Sequence, residues 1–485
     1  MSSLLLSGGT VVDPAAGTEA VQDVLVRDGK VVEVGAIDAP DATRVDVSGM
    51  VVGPGFIDLH SHVHSIAGQR LQAFDGVTTA LDLESGLMPV ARGYAEAARD
   101  GRPLHYGFSA SWGSARAQVL LGIEPDASLA GALGVLGNPG WQRSSSAREL
   151  AESVALIEQE IGDGALGVGI LMGYAPRLDP EEYLAVARLA ASAAVPTYTH
   201  VRELVEADPT TPIDGSEELV RAAAETGAAM HHCHVNSTSR RHVDRVLRTL
   251  ERSRAEGSRV TVEAYPYGAG STAVGAAFVA PARLGAWGIG PSSIVMVETG
   301  ERIADEKRLL QLRAETPGAP CIIEFLDEND PADAALLRMS LEFPDSIVAS
   351  DAMPVFWPDG SHDSRDWPLP AGGTTHPRTA GTFMRAVRTM RWSWPEAFRR
   401  CSYLPAQVLR DATPAVHGKG HLAVGADADL VVIDPAAVTD RATYTDAVRP
   451  SSGVRHLLVD GTFVIRDGVL DTEAFPGRPI RATPA

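Results

Sequence analysis

Two histidines one residue apart, His60 and His62, are the side chains of this 485-residue sequence best suited to hold a metal ion. They lie in a short apolar-led run after Pro54-Gly55, and we predict a strand over residues 57–63. Side chains two apart on a strand share a face and stand about 6.6 Å apart, so both imidazoles can reach one cation. The alternative is a packed core histidine beside a solvated loop histidine.

Two more histidines and an aspartate close later strand-like runs. His200 and His234 each end a run that follows an alanine-rich helical pattern, and Asp351 ends the β-branched run 346–351. The spacing of the two histidines matches the roughly 30-residue repeat of a βαβ unit. Because the C-terminal ends of the strands in a (β/α)8 barrel meet on one face, the sequence predicts a metal-binding barrel with these residues on that face.

Several short motifs, in order along the chain, carry a resemblance to a known family. They are Gly53-Pro54-Gly55-Phe56-Ile57-Asp58 with His60 and His62, Gly76-Val77-Thr78-Thr79, Tyr198-Thr199-His200, Tyr265-Pro266-Tyr267, Ser350-Asp351, His376-Pro377-Arg378 and Gly425-Ala426-Asp427-Ala428-Asp429-Leu430. In type and order they resemble the amidohydrolase superfamily, and within it the N-acyl-D-amino-acid deacylases, which include D-aminoacylases and N-acyl-D-glutamate deacylases. The resemblance implies an α/β fold: a (β/α)8 TIM-like metal-dependent hydrolase barrel with a small composite β-sandwich domain from both termini and an inserted subdomain.

The resemblance also implies an activity, the cleavage of the amide bond of N-acyl-D-amino acids, N-acyl-D-glutamate among them, by metal-activated water. The expected partner is a small-molecule N-acyl amino acid. Two other functions stay open. One is another amidohydrolase reaction, such as cyclic amide or imide ring opening or deamination; the other is a non-catalytic scaffold that kept the barrel and lost the metal. The four histidines and Asp351 argue against the scaffold.

The two ends of the chain share a pattern, a pair of apolar runs joined by Asp-Gly, which predicts a hairpin at each end. Helix-start signals predict helices over 181–194, after Asp179-Pro180, and from Ser216 to Gly227. The predicted domains are 1–54 (β-sandwich, N-terminal part), 55–412 (barrel, with a subdomain inserted at about 283–344) and 413–485 (β-sandwich, C-terminal part). The insertion is predicted to be a subdomain or lid, and a charged surface excursion is the alternative.

The residue that would bridge two metal ions is unusual in this chain. Many relatives use a carboxylated lysine on the fourth barrel strand, but the only lysines here are Lys30, Lys307 and Lys419, none of which lies there. The D-aminoacylases instead have a cysteine shortly after Gly-Val-Thr-Thr, and the matching position is Ser85. We predict that the neighbouring Glu84 supplies the ligand, with Asp82 as the alternative. An oxygen ligand suits one or two Zn2+ ions, but also manganese, iron or cobalt.

Other polar residues near these motifs receive lesser roles. His64 extends the histidine pattern but is not predicted to be a ligand, since one strand face rarely delivers three. His232 is predicted to line the barrel, whereas His231 and Cys233 point outward. Asp58 is predicted to orient an imidazole.

The predicted catalytic group is Asp351, which would accept the proton of the water and pass it to the leaving nitrogen. The resemblance implies that Arg378 binds the α-carboxylate of the substrate, with Tyr265 or Tyr267 as a second contact, and Tyr174 is predicted to line the pocket. The family's lysine after the sixth-strand histidine is here Asn236. The lost cation would have to come from the arginines, namely Arg202, Arg240 or Arg241.

Composition favours a cytoplasmic enzyme. A net charge of −20 argues against nucleic acid or an anionic membrane as partner. Three widely separated cysteines predict a reducing compartment and no disulfide framework. The N-terminus has no signal-peptide pattern, and no run of eighteen apolar residues predicts a membrane span. A homo-oligomer stays open.

Overall fold

The computed structural model describes residues 3–483, and within them the strands alternate with helices over most of the chain. The strands are β1 Ser3–Asp13, β2 Thr18–Arg27, β3 Lys30–Gly35, β4 Thr43–Asp46, β5 Val51–Pro54, β6 Phe56–Asp58, β7 Val77–Leu87, β8 His105–Ser111, β9 Val168–Ile170, β10 Thr197–Thr199, β11 Met230–His232, β12 Val260–Ala264, β13 Ala269–Ala273, β14 Ile294–Met296, β15 Pro320–Glu324, β16 Ser346–Val348, β17 Leu430–Ile433, β18 Val454–Val459, β19 Thr462–Arg466 and β20 Val469–Leu470.

The α-helices range from a single turn to more than four turns. They are α1 Ile66–Phe74, α2 Val90–Asp100, α3 Trp112–Leu121, α4 Leu129–Gly134, α5 Pro139–Gln142, α6 Ala147–Gly162, α7 Pro180–Ser192, α8 Gly215–Thr226, α9 Val235–Ser239, α10 Val243–Ala255, α11 Pro281–Leu284, α12 Glu306–Glu315, α13 Pro331–Glu342, α14 Arg378–Met390, α15 Trp394–Phe398 and α16 Leu404–Leu409. No helix of the described residues combines the length and the apolar character that crossing a membrane requires.

An eight-stranded sheet confirms the predicted (β/α)8 class. Its strand order is β16-β12-β11-β10-β9-β8-β7-β6, and the pairs from β8 to β12 and the pair β6–β7 are parallel. Most of these strands are short and fully buried, as expected for strands covered by helices. The predicted strand over 57–63 is wrong in extent: β6 ends at Asp58, so His60 and His62 follow the strand.

The two ends of the chain form one nine-stranded sheet, which confirms the predicted composite β domain. Its order is β20-β19-β18-β17-β5-β1-β2-β3, with β4 paired to β1. Both predicted hairpins are present, and both residues of each Asp-Gly turn have positive φ: 51° and 73° at Asp28-Gly29, 50° and 75° at Asp460-Gly461. The strands are joined in a single continuous sheet, with an apolar core that draws on both chain ends.

The described chain divides into two compact units. The first comprises residues 3–81, 97–107 and 347–480, and includes the nine-stranded sheet and α14. The second comprises 82–96, 108–346 and 481–483, and includes β9 to β12 and a small antiparallel sheet of order β13-β15-β14. That small sheet begins at Ala269, ahead of the predicted residue 283, whereas α13 packs on α10 and β12. The domain bounds and the lid role stay predictions.

Both predicted helices of the second unit are present. Asp179 caps α7, and Pro180 is its first residue, as the sequence indicates. The second helix, α8, begins one residue early, because the side chain of Asp214 accepts hydrogen bonds from the Ser216 and Glu217 N–H groups and acts as the cap. It ends at Gly227 in the left-handed conformation.

A buried carboxyl group anchors α14, the helix that begins with Arg378. Asp75 follows α1 and accepts hydrogen bonds from the backbone N–H groups of Phe383 (2.7 Å) and Met384 (3.0 Å) and from the hydroxyl of Ser451 (2.9 Å). Burial raises the pKa of Asp75 well above its ordinary value, although these hydrogen bonds oppose the shift. The side chain therefore joins two helices by hydrogen bonds to uncharged groups.

Replacing Asp75 with alanine should lower the free energy of unfolding by about 2–4 kcal/mol, because each buried donor that loses its acceptor costs about 1–3 kcal/mol. Asp75→Asn keeps one acceptor oxygen and should lose less. Urea unfolding followed by circular dichroism measures both. An alanine variant as stable as the wild type would show that α14 does not depend on this side chain.

Candidate metal centre

A carboxylate between two imidazoles forms a compact polar cluster in the second unit. One oxygen of Glu84, Oε1, lies 3.1 Å from Nδ1 of His200 and 2.8 Å from Nε2 of His234. The two imidazole rings meet edge to face, with centroids 4.8 Å apart. Ligand atoms of the three residues lie within 4.8 Å of one another, which suits a cation with nitrogen and oxygen ligands.

The three side chains come from strand ends, as the sequence predicts. Glu84 lies on β7, His200 directly follows β10, and His234 follows β11 by two residues. Two glycines allow the close approach. A Cβ atom on Gly169 would lie 2.3 Å from the carbonyl oxygen of Glu84, and one on Gly173 would lie 2.4 Å from Cδ2 of His200. The sequence analysis did not identify either glycine, because only the close neighbours reveal their role.

A second cluster lies in the first unit. The Nε2 atoms of His60 and His62 are 3.2 Å apart, and Oδ1 of Asp351 lies 3.4 Å and 3.5 Å from them. Asp351 follows β16 and has a φ of 50°, in the left-handed region. Although both histidines lie beyond the strand, their rings still converge on one point. Two imidazole nitrogens and a carboxylate oxygen again form a donor set that suits zinc or a similar divalent ion.

Asp58 supports this cluster through the backbone. Its carboxylate accepts hydrogen bonds from the N–H groups of His60 (3.2 Å) and Ser350 (3.0 Å), from Gln72 Nε2 (2.9 Å) and from the Ser350 hydroxyl. Burial raises the pKa of Asp58 to about 7, against the opposing effect of these hydrogen bonds. The prediction that Asp58 orients an imidazole is wrong: it holds the main chain at the ends of β6 and β16.

Arg378 is fully buried and pairs with the predicted acid/base. Its Nη2 lies 2.9 Å from Oδ2 of Asp351, and its backbone N–H donates to Nδ1 of His376 at 3.1 Å. The sequence predicts that Arg378 binds the carboxylate of a substrate, whereas in the structure a carboxylate of the protein, that of Asp351, lies beside it. The ion pair fixes the orientation of the Asp351 carboxylate.

The alternatives to Glu84 are placed differently. Asp82 accepts a hydrogen bond from the backbone N–H of Gly86 at 3.1 Å, within β7. Ser85 is buried next to Glu84 on β7, where successive side chains face opposite sides of the sheet. His64, which is not a predicted ligand, is half-buried. The geometry therefore favours Glu84 as the ligand.

The residues before His234 face opposite to their predicted directions. Tyr198, His231 and Thr261 are register partners across β10, β11 and β12. His231 lies between Thr261 Oγ1 (2.8 Å) and Glu263 Oε2 (2.9 Å), so it turns away from the helices.

His232 instead reaches outward to α8. Its Nε2 lies 3.4 Å from the hydroxyl of Ser216, and burial lowers its pKa to about 3. A sulfur ligand atom of Cys233 lies within 4.8 Å of a carboxylate oxygen of Glu263. The predictions for His231, His232 and Cys233 are therefore wrong. They counted alternating faces back from His234, but the strand ends at His232, so His234 does not share its alternation.

Tyr174 and Tyr265, two of the aromatic residues named from the sequence, lie close to the histidines of the second unit. The Tyr174 ring is 4.8 Å from that of His200, and its hydroxyl is 2.8 Å from Thr272 Oγ1. The Tyr265 ring is 6.4 Å from that of His234, and Tyr265 and Tyr267 are both buried. Phe278, which the sequence analysis missed, stacks on His200 at 5.6 Å. It carries no motif, so only the structure could reveal it.

Asn236 supports the Tyr265-Pro266-Tyr267 turn. Its amide nitrogen donates to the carbonyl of Tyr267, and its amide oxygen accepts from the N–H of Tyr265, both at 3.3 Å. This amide therefore acts on the backbone, and the geometry does not favour a direct role in substrate binding.

The sequence suggests three arginines as replacements for the lysine that the family has at the position of Asn236. Each of them pairs with a protein carboxylate. Arg202 makes two hydrogen bonds to Glu218 (2.7 Å and 3.0 Å) and one to the carbonyl of Pro176 (2.9 Å). Arg240 pairs with Glu203 at 2.6 Å, and Arg241 makes a two-pronged pair with Asp333. The suggestion that one of them binds the substrate carboxylate is therefore not supported, and it is wrong for the fully buried Arg202.

Comparisons with known proteins agree with this architecture. Residues 364–465 match the model of the family described as the amidohydrolase family. Over 98% of its length the chain is 28% identical to D-aminoacylase of Alcaligenes xylosoxydans xylosoxydans, of which it covers 96%. The N-acyl-D-glutamate deacylase of the same organism is 26% identical, with 95% of this chain and 93% of the relative covered.

A solved structure shows the same fold. The N-acyl-D-glutamate deacylase from Bordetella bronchiseptica, complexed with zinc and a phosphonate mimic of the tetrahedral intermediate, has a TM-score of 0.77. The two chains are 22% identical, and 99% of each is covered.

Gly173→Ala should weaken metal binding, because the added Cβ would meet the His200 ring at 2.4 Å and the carbonyl of Val201 at 2.7 Å. A displaced ligand commonly costs tenfold or more in affinity. Gly162→Ala is the matched control, since Gly162 ends α6 with no atom within 4 Å of its added Cβ. Titration with Zn2+ against a chelator measures both. Equal affinities would show that His200 does not depend on the glycine.

Proposed function

We propose that this chain, which belongs to the amidohydrolase superfamily, cleaves the amide bond of N-acyl-D-amino acids with a divalent metal ion as cofactor. The observation that carries the proposal is the shared carboxylate oxygen of Glu84 between His200 and His234. Full-length similarity to two deacylases of linear amides supports this reaction over ring opening or deamination.

The proposed metal ligands form one cluster in each unit. They lie on or shortly after strands of the eight-stranded sheet, and the C-terminal ends of parallel barrel strands carry the active site in this fold. The proposed ligands are His60, His62, Glu84, His200 and His234. Zinc is the first candidate, and the oxygen ligand at position 84 also suits manganese, iron or cobalt.

When bound, such an ion would lower the pKa of a water molecule and polarise the amide carbonyl. Asp351 is proposed to accept the proton of this water at a carboxylate oxygen and to donate it to the leaving nitrogen. Arg378 positions Asp351 through the pair to Oδ2, which leaves Oδ1 directed at His60 and His62. Removal of either partner would release the orientation that proton transfer needs.

The proposed substrate carries one carboxylate and an uncharged side chain. Arg378, which also pairs with Asp351, is proposed to bind that one carboxylate. A second carboxylate would need a further cation, but Arg202, Arg240 and Arg241 are each paired with other protein carboxylates. Asn236, at the family's lysine position, is neutral and binds the backbone. The aromatic rings of Tyr174 and Phe278 beside His200 suit an apolar group. A cytoplasmic location and a homo-oligomer stay predictions from composition and family.

Purified enzyme loaded with Zn2+ should hydrolyse N-acetyl-D-leucine and N-acetyl-D-phenylalanine with a kcat/KM at least about tenfold above that for N-acetyl-D-glutamate, since an unpaired buried charge costs more than about 1.4 kcal/mol. The L-enantiomers test stereospecificity, and hydantoin and dihydrouracil test ring opening. Turnover of the cyclic amides alone would reject the proposal. A purified protein that binds no transition metal would favour the scaffold.

Glu84→Ala should lose at least one equivalent of bound metal, because it removes the oxygen that both imidazoles share. Ser85→Ala is the matched control: it alters the neighbouring buried residue, at the position where relatives have a cysteine, and should keep its metal. Metal analysis after dialysis measures both variants. The reverse result would assign the ligand to Ser85 and contradict the geometry.

A further inference from the structure

His234 has an unusual backbone conformation for a residue with a side chain. Its φ of 33° and ψ of 59° lie in the left-handed region, and no side-chain hydrogen bond caps α9, the helix that it precedes. Side chains other than glycine seldom adopt this conformation unless the surrounding structure imposes it. The conformation matters because it directs Nε2 of His234 at Glu84.

A carboxylate on the neighbouring strand holds this backbone. Glu263 lies on β12, is 1% exposed, and accepts the N–H of His234 at Oε1, with a distance of 3.3 Å. The other oxygen, Oε2, faces Nε2 of His231 at 2.9 Å. Glu263 therefore binds one histidine through the main chain and another through the ring.

His231 is itself fixed on its second nitrogen. Nδ1 lies 2.8 Å from the hydroxyl of Thr261, and the edge of the Tyr198 ring faces the imidazole, with centroids 5.8 Å apart. A neutral imidazole with its proton on Nε2 satisfies both contacts, since it donates to Glu263 and accepts from Thr261. The chain of contacts runs from Thr261 through His231 and Glu263 to the main chain of His234.

We propose that Glu263 and His231 form a positioning pair that sets the geometry of the metal ligand His234. This inference rests on the proposed function, because it assigns to these residues an effect on a proposed ligand. Neither residue is a proposed ligand or catalytic group. The hydrogen bond to the His234 N–H, supported by His231, directs the imidazole to the position where it meets Glu84.

The test compares variants that remove the hydrogen bond with variants that keep it. Glu263→Met removes both acceptor oxygens, whereas Glu263→Gln keeps an acceptor for the His234 N–H and lets the amide donate to His231. His231→Phe removes the donor to Glu263, whereas His231→Gln can keep one. Each pair thus changes the polar contact at nearly constant size.

Two readouts follow the metal ligand and do not require turnover. Affinities for Zn2+ and Co2+ are measured by competition with a chelator, and the visible spectrum of the Co2+-loaded protein reports the geometry of its ligands. Glu263→Met and His231→Phe should lose tenfold or more in affinity and change the spectrum, as supporting residues behind metal ligands commonly do. Glu263→Gln and His231→Gln should stay within about threefold of the wild type.

The matched control is His232→Phe, the same substitution one residue further along β11. His232 is equally buried, but it faces Ser216 on α8 and should leave affinity and spectrum unchanged. If Glu263→Met does not fold, Thr261→Val tests the same chain of contacts from its other end and should show a smaller change of the same kind.

Two results would overturn the inference. Wild-type affinity and spectrum in both Glu263→Met and His231→Phe would show that His234 needs no such support. Damage by Glu263→Gln as large as that by Glu263→Met would show that the hydrogen bond is not the cause. If the wild-type protein itself binds neither ion, the proposed function fails, which is a different outcome from tight binding by every variant.

Discussion

The carboxylate of Glu84 is the group on which the second unit's candidate site depends. It is 4% exposed, and one of its oxygens faces two imidazole nitrogens. An ionised carboxylate removed from water is strongly unfavourable unless positive charge or hydrogen bonds compensate it. A divalent cation held among the carboxylate and the two imidazoles supplies that charge, whereas neutral imidazoles supply only hydrogen bonds. The glycines at positions 169 and 173 follow from the same requirement, because larger residues would separate the strands that bring these side chains together.

The proposed ligands and Asp351 lie on or near the ends of strands, but for two of these residues irregular backbone beyond the strand sets the direction of the side chain. His234 and Asp351 both have left-handed φ values, 33° and 50°, a few residues after the ends of buried strands. Their neighbours hold them: Glu263 binds the N–H of His234, and Asp58 binds the N–H of Ser350, the residue before Asp351. In both cases a buried acidic residue on another strand of the sheet accepts a main-chain hydrogen bond. The sheet fixes the general location of these two side chains, and the buried carboxylates help to fix their direction.

The sequence was sufficient to predict the structural features that depend on a local pattern of residues. The Asp-Gly hairpins follow from turn chemistry, and the histidines at strand ends follow from strand spacing. Prediction failed for His231 and His232, because their faces were counted from His234, which lies beyond the end of β11, and the alternation of faces holds only within the strand. It also failed for Arg202. A buried arginine and a substrate-binding arginine look alike in a sequence, and only the structure shows that Glu218 and the carbonyl of Pro176 already accept the hydrogen bonds of Arg202. Phe278 carried no pattern at all.

The proposed replacement of a thiolate by the carboxylate of Glu84 would have consequences beyond one ligand. A cysteine ligand favours soft or borderline ions, and its thiolate can be oxidised when the metal leaves. A carboxylate does not favour soft ions and is not oxidised in this way. The three cysteines of this chain are all buried, and burial raises the pKa of the Cys321 thiol to about 12, so it stays protonated and unreactive. With Glu84 as the bridge, metal selectivity would rest on the geometry of the imidazoles and not on sulfur. The residues that orient His200 and His234 would then matter more for metal selectivity. Gly173 lies against the ring of His200, and Glu263 accepts the N–H of His234.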